Sequence, residues 1–457
     1  MSSKKIVCLG GGSLYFTSAL PYLVKSPDLS GSEIVLYDID REKIERMSAM
    51  TQRLINEAGT DYRVRFTTDL ADAVDGADFA LSSIGGSGAD ITSNVYSSYV
   101  QKSDVIISAK YGIQQVVGDT CGPAGMMMAF RSIPAYLSIC REMEKRCPRA
   151  ILLNHSNPMA ALCRAMHKYT DLTVIGICHG VQGGVHHAGH ILNIPTEELE
   201  VNWIGTNHYY WFTALRHHGV DVYPELMDKI AGQTPRQGCR MSTELSLIYG
   251  YQIVYPEDDH IIEFYPFSAP VPGGQSGLRY GLDAAARAFG YDETKPMPRP
   301  EPITNEVRSE FFAQYQGLLD GARLPDVPDN PLTGEGVTAM MGAIATGRRE
   351  VFIANIANGG AIHNLPMTAE VEVQVVSDSQ GVRPIVIGDA PIALKGMLEK
   401  RFAWHELVAD AAVKGDRKLA LQAMMVDEMA IWPDQSVKML DELLESSKDL
   451  LPQFFPG

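Results

Sequence analysis

The pattern that most constrains this chain is a short apolar strand, a glycine turn, a helix, and a second apolar strand closed by an acid. Lys4-Lys5-Ile6-Val7-Cys8-Leu9 runs into Gly10-Gly11-Gly12-Ser13, and Ile34-Val35-Leu36-Tyr37 ends at Asp38. Residues without a Cβ let the backbone approach a pyrophosphate. The next helix aims its N-terminus at the phosphates, and the acid takes ribose hydroxyls. The pattern therefore predicts a dinucleotide-binding unit in which Gly10, Gly11, Gly12, Ser13 and Asp38 bind the cofactor. Asp38 favours NAD over NADP, because a 2′-phosphate would meet a carboxylate; the alternative is that it caps the following helix. The third glycine of the fingerprint is replaced by Tyr15, which requires a different approach of helix to strand from that in ordinary dehydrogenases.

Strand and helix patterns then alternate. Apolar runs at 79–84, 150–153 and 172–177 read as buried strands, and helices are expected at 14–25, 44–58, 70–74 and from about 126 to 145. Continuous apolar strands between helices indicate a parallel sheet covered on both faces. Ser83, Asn154 and Cys178 fall at or near the carboxyl ends of such strands, where α/β proteins place their chemistry. Ser83 and Asn154 are added to the cofactor-binding candidates. Past Pro195 the pattern changes: 199–204 reads as a strand of a different sheet, and 219–222 as a hairpin turn. Helices are expected near 304–319, 391–413 and 435–444, and the Pro/Gly-rich 270–302 as a large loop or lid. The fold class is α/β: an N-terminal Rossmann-like parallel sheet, residues 1–197, with a C-terminal α+β domain for substrate and oligomerisation, residues 198–457.

Composition excludes several classes. With 45% apolar and 21% charged residues the chain is globular, and its 457 residues suit two domains. A net charge of −16 argues against nucleic acid and against an anionic membrane surface. No secretory h-region and no apolar run long enough to span a bilayer is found. Seven dispersed cysteines read as reduced thiols of a cytoplasmic protein.

The polar clusters each have a bland reading. Cys178 and His208 would suit a transition metal, but lie too far apart for any spacing rule. His186 and His190 read as an ordinary polar helix face. Asp119, in Gly118-Asp119-Thr120-Cys121-Gly122-Pro123, reads as an N-cap. Asp258-Asp259-His260 with Glu263 and Tyr265 reads as a surface loop, and Tyr280 and His363 as structural.

Taken in order, Gly-Gly-Gly-Ser at 10–13, Tyr-Asp-Ile-Asp at 37–40, Lys-Tyr-Gly-Ile at 110–113, Gly-Asp-Thr-Cys-Gly-Pro at 118–123, Asn-His-Ser-Asn-Pro-Met at 154–159, Ile-Cys-His-Gly at 177–180 and Gly-Thr-Asn-His at 205–208 resemble glycoside hydrolase family 4 over nearly the whole length. One departure is Ala124, where the family pattern has glycine. The resemblance implies a glycosidase dependent on NAD and Mn2+ (or another divalent metal) that does not use two-carboxylate displacement. In that scheme NAD+ takes hydride from C3 of the sugar, and the ketone acidifies C2. A base removes the C2 proton, the glycosidic bond breaks by elimination, water adds, and the hydride returns. Carried over residue by residue, Cys178 and His208 match the metal ligands. Asn157 matches a substrate contact, and Asp119 a turn near the sugar. His179 matches the acid assisting the leaving group, and Asp259 or Tyr265 the base.

Cys178-His179-Gly180 resembles the α-galacturonidase and α-glucuronidase branch, and residues 85–100 lack the arginine of the phospho-glycosidases. The expectation is therefore a cytoplasmic glycosidase for an α-linked uronide, acting on a small-molecule glycoside as a homodimer or homotetramer. Arg131, Lys110 and His363 are candidate carboxylate partners. The alternatives are an α-glucosidase or α-galactosidase of the same family, a lactate/malate-type dehydrogenase, and a non-enzymatic NAD-binding protein.

Overall fold

The computed structural model describes residues 3–85, 99–113, 115, 117–235, 239–253, 258–266, 313, 315–324 and 336–456. The expected lid at 270–302, Tyr280, and most of the arginine-free stretch and of the 304–319 helix lie outside them.

Six strands, β1 (Lys5–Leu9), β2 (Glu33–Tyr37), β3 (Arg63–Thr67), β4 (Phe79–Ser82), β5 (Ile151–Asn154) and β6 (Thr173–Gly176), pair in parallel in the order β3-β2-β1-β4-β5-β6. That is the dinucleotide-binding order, whose switch point lies between β1 and β4. The inner strands are apolar along their length because helices cover both faces. The helices of this half are α1 (Tyr15–Leu23), α2 (Arg41–Ala58), α3 (Leu70–Val74), α4 (Tyr99–Lys110), α5 (Gly122–Arg146), α6 (Met159–Tyr169) and α7 (Gly180–Leu192). In α2 the Asp40 carboxylate accepts from Lys43 N, Gly59 ends the helix in the left-handed region, and Ile44, Met47, Leu54 and Ile55 turn inward, an amphipathic stripe with caps at both ends.

The C-terminal half does not stand apart from this sheet. β10 (Glu350–Ala357) pairs antiparallel with β6 through Asn355 and Gly176, and β11 (Glu370–Asp378) and β12 (Gly381–Pro384) extend the edge to nine strands. The helix Ile392–Lys414 packs on α5 and α6. As expected, 199–204 belongs to another sheet: β7 (Leu199–Thr206), β8 (Tyr209–His217) and β9 (Val220–Asp221) form an antiparallel meander. All seven cysteines are buried thiols outside any disulfide.

Candidate active site

Two groups of residues gather past the carboxyl ends of the parallel strands. The first is the glycine turn. Gly10 has φ +74°, and a Cβ there would lie 2.3 Å from the Ser83 carbonyl oxygen, so only glycine fits between β1 and β4. Gly11 N donates to Tyr37 O at 2.7 Å and Gly12 N to Asp38 Oδ2 at 3.0 Å. Asp38 Oδ1 accepts from Asp40 N at 3.0 Å. The helix cap is thus Asp40, and Asp38 is left to order the turn. Burial pushes the Asp38 carboxyl upward, offset in part by those two N–H groups and Lys43. Ser13 Oγ and Ser83 Oγ lie 2.9 Å apart, joining the turn to the end of β4. Tyr15, standing where a third glycine is usual, sets its ring 4.3 Å from that of His155. Tyr315 closes the turn from the C-terminal half, donating to Gly12 O at 2.6 Å.

Asn154 lies inside a buried knot. Its Oδ1 accepts from Ser156 N at 3.0 Å and lies 2.8 Å from the Tyr136 hydroxyl, while its Nδ2 donates to Ser156 O at 3.0 Å. Fully buried, it shapes the turn that leads to Asn157.

The second group is assembled from four segments. Asp119 and Thr120 precede α5 in a turn held by the buried Glu263 carboxylate, which accepts from Val117 N at 2.8 Å and Gly118 N at 3.1 Å. Cys178 follows β6. His208 occupies the two-residue turn between β7 and β8 with φ +60°. That region costs a non-glycine residue roughly 1–3 kcal/mol and recurs at functional sites. Gly205 makes the hairpin possible, since a Cβ there would meet Tyr210 Cα at 2.3 Å. His260 comes from the short helix Asp258–Ile261.

The distances tie these segments together. Cys178 Sγ lies 3.5 Å from His208 Nε2, and the His208 and His260 rings meet edge-on with centroids 4.7 Å apart. Asp119 takes three contacts: Thr120 Oγ1 donates to Oδ1 at 2.6 Å, His260 Nε2 lies 3.2 Å from Oδ1, and Asn157 Nδ2 donates to Oδ2 at 2.8 Å. Thr120 Oγ1 is also 3.0 Å from His208 Nδ1. A hydroxyl has one proton, and the carboxylate takes it, so His208 Nδ1 is the N–H donor in that pair. Its Nε2 then carries a lone pair directed at Cys178 Sγ. Burial, with His260 nearby, holds the His208 pKa down at about 3, so the ring is neutral. Burial raises Asp119, but the hydrogen bond from His260, the His260 charge and the Thr120 hydroxyl outweigh it and hold the carboxyl well below its usual range. A thiol beside a neutral imidazole nitrogen, with an ionised carboxylate in the same cluster, is a set of donor types that suits a divalent cation. Asp119, His208 and His260 themselves offer ligand atoms within 4.8 Å of one another.

Most of the expected residues therefore converge, and others do not. His179 is exposed at the N-cap of α7, near enough to act on His208. Asp259 shares the short helix with His260. Tyr265 packs against Tyr209, with its hydroxyl 4.0 Å from Met397 Sδ. The three carboxylate partners are engaged elsewhere: Arg131 with buried Asp104 at 2.5 Å, Lys110 with Glu442 at 2.7 Å, and exposed His363 3.8 Å from Asp389. His186 Nδ1 sits 3.3 Å from Thr196 Oγ1, as a polar helix face would. The surface-loop reading of 258–265 is overturned, because Asp258, His260 and Glu263 are all buried. His260 is the residue sequence reasoning missed. Its signal was present, a histidine and three acids within six positions, but nothing in the spacing announces burial.

Comparison with known proteins decides the family. A family model for family 4 glycosyl hydrolases matches residues 5–194, and one for that family's C-terminal domain matches residues 203–430. The chain belongs to glycosyl hydrolase family 4. The enzyme is 27% identical to an α-galactosidase of Bacillus subtilis, over 99% of this chain and 100% of that one. It is 26% identical to an α-galacturonidase of Lachnoclostridium phytofermentans, over 99% and 98%. A crystal structure of a 6-phospho-α-glucosidase from gut microorganisms, in complex with NAD and Mn2+, superposes with a TM-score of 0.76 at 22% identity, over 99% of this chain and 100% of that one. Among the described residues no helix is long and apolar enough to cross a membrane.

Proposed function

We propose that this glycosidase uses NAD and Mn2+ to cleave an α-linked uronide, α-galacturonide or α-glucuronide. The observation that carries the proposal is the convergence of Cys178, His208, Asp119 and His260 past the same strand ends that hold the Gly10–Ser13 turn. When bound, the dinucleotide supplies a hydride acceptor and the metal a Lewis acid. The chain's own residues do the rest. Cys178 Sγ and His208 Nε2 would hold the metal, with Thr120 and Asp119 fixing the tautomer of His208. Asp119 and Asn157 present an acceptor and a donor to sugar hydroxyls. His179 gives a proton to the leaving group from its exposed place beside Cys178. Removal of the C2 proton falls to the segment 259–265. Asp259 and Tyr265 are the residues that the resemblance points to, and His260 is the one whose ring meets Asp119 and His208.

The uronide reading rests on the Cys178-His179-Gly180 run, which resembles the uronidase branch, and on the first turn of α7. The N–H groups of a helix N-terminus suit a carboxylate. The relative named as an α-galacturonidase supports it, although one named as an α-galactosidase is equally similar. Two measurements test the proposal. NAD+ should be needed only in catalytic amounts, with a C2-deuterated substrate losing its label to solvent; stoichiometric NADH or full retention of deuterium refutes the elimination route. 4-Nitrophenyl α-D-galacturonide or α-D-glucuronide should outrun neutral and 6-phosphorylated glycosides. A tenfold preference the other way, about 1.4 kcal/mol in transition-state binding, refutes the uronide reading alone.

A further inference from the structure

A second constellation of metal-ligating side chains lies far from the first, at the opposite end of β8. His217 Nε2 and His218 Nε2 lie 2.7 Å and 3.2 Å from the same oxygen, Glu198 Oε2. The two rings face each other with centroids 4.2 Å apart. Neighbouring residues of a strand point to opposite faces, so two adjacent histidines on one side need a backbone cause. That cause is the turn between β8 and β9, where His218 has φ +49° and Gly219 φ +77°. The pair is a mirror-image hairpin turn, in which Asn-Gly or Asp-Gly is the usual choice. A histidine there carries a conformational cost that asparagine avoids more cheaply. The left-handed step swings the His218 ring round to join His217. On the other strand, His217 pairs with Leu199, which brings the preceding Glu198 under both rings.

We infer that Glu198, His217 and His218 form a surface site for a borderline divalent cation such as Zn2+. Their ligand atoms all lie within 4.8 Å of one another. Ligands held at about 2.0–2.2 Å from one tetrahedral ion lie roughly 3.3–3.6 Å apart, so the 2.7 Å and 3.2 Å contacts to Glu198 need widen only slightly to admit one, with a fourth position open to water. The remaining bond of the cluster, two imidazoles competing for one carboxylate oxygen, is one that a cation in the centre replaces. The site is separate from the candidate active site, since nine residue steps of strand, roughly 30 Å, separate His208 from His217. A cation there ties the start of β7 to the β8–β9 turn and so clamps the small sheet that carries His208 at its other end.

The test titrates the full-length protein with ZnCl2 by calorimetry, using Cys178→Ser as background so that the first site is weakened equally in every sample. His218→Asn is the informative variant, because Asn-Gly suits the turn and the hairpin keeps its fold. The background protein should bind Zn2+ at a site whose affinity falls at least tenfold in His218→Asn and in Glu198→Gln, with melting temperature rising on Zn2+ addition only where the site is intact. Equal Zn2+ affinity and equal thermal shifts in the background protein and both variants overturn the inference, as does the lack of any Zn2+ binding by the background protein.

Discussion

Thr120→Val is the sharpest test of how the first site is built. The substitution keeps the branched shape and removes one oxygen, and with it both the 2.6 Å donation to Asp119 and the 3.0 Å acceptance from His208 Nδ1. Both partners are buried. Asp119 keeps His260 and Asn157 as partners, so His208 Nδ1 is the group left unmatched, and the metal-free protein should lose about 1–3 kcal/mol of stability. The more specific effect is on the metal. Without the hydroxyl, nothing from Thr120 holds the proton of His208 on Nδ1, and outer-shell losses of this kind typically weaken metal affinity by about 10–100-fold, or about 1.4–2.8 kcal/mol. The assay is Mn2+ binding by calorimetry with NAD+ affinity measured alongside, and Thr120→Ser as the control that restores the hydroxyl. The expected pattern is weak Mn2+ binding in Thr120→Val, near wild-type binding in Thr120→Ser, and unchanged NAD+ affinity in both. Mn2+ affinity in Thr120→Val within twofold of wild type would refute the tautomer argument, whatever the stability result.

Cys178→Ser should abolish glycosidase activity and weaken Mn2+ binding while leaving NAD+ affinity intact, and a reductant should protect the wild type, since thiolate ligands oxidise; an active, metal-independent variant would remove Cys178 from the site. Glu372 is fully buried near Asn207 and Asn355, and burial raises its pKa to about 7, so Glu372→Gln should change stability by less than about 1 kcal/mol, whereas Glu372→Leu replaces the polar neighbour of the buried Asn207 amide next to His208 with an apolar group and should weaken Mn2+ binding by about tenfold. His155 is half-buried with both ring nitrogens shielded from solvent, and its pKa is pushed down to about 3, against about 6.5 in the unfolded chain. The unfolded chain therefore binds the extra proton between those values, and the stability present above pH 6.5 drains away as pH falls through this window. His155→Phe removes that uptake, so its stability relative to wild type should improve by about 2 kcal/mol between pH 7 and pH 5; a gap that stays constant over that range would show that His155 is not buried neutral.

Much of this architecture is legible in the chain because local pattern and tertiary position agree. β1, the Gly10 turn, α2 and the new sheet that starts at Leu199 all follow from period and punctuation. Where the reading stops short, the missing information is non-local. Asp38 and Asp40 are equally plausible caps in the sequence, and only the approach of Gly12 to Asp38 Oδ2 separates their roles. Arg131 looks like a reserve cation until α4 brings Asp104 against it in the core. The segment 258–265 is polar enough to suggest solvent, and it is buried because its acids satisfy backbone N–H groups: Asp258 takes those of Met241 and Ser242, and Glu263 those of Val117 and Gly118.

The C-terminal strands add a point that no local pattern contains. In the sequence β6 is the last strand of a parallel sheet, which would make the strand preceding Cys178 an exposed edge. An edge strand is held by hydrogen bonds on one side only and frays more easily than an interior one. In the structure β10 lies antiparallel along the other side of β6, with Asn355 set against Gly176 two residues before Cys178. A Cβ on Gly176 would meet Asn355 Cβ at 2.8 Å, so the contact is as close as a glycine permits. From the same half, Trp203 on β7 donates to Glu372 O on β11 at 2.7 Å, joining the hairpin sheet of His208 to the extended main sheet. The thiol and the imidazole thus stand on two different sheets that are fastened to one another by β10 and β11. Their 3.5 Å approach is a property of that joint, and a change that loosens β10 or β11 should be felt at the metal before it is felt at the Gly10 turn on the far side of the switch point.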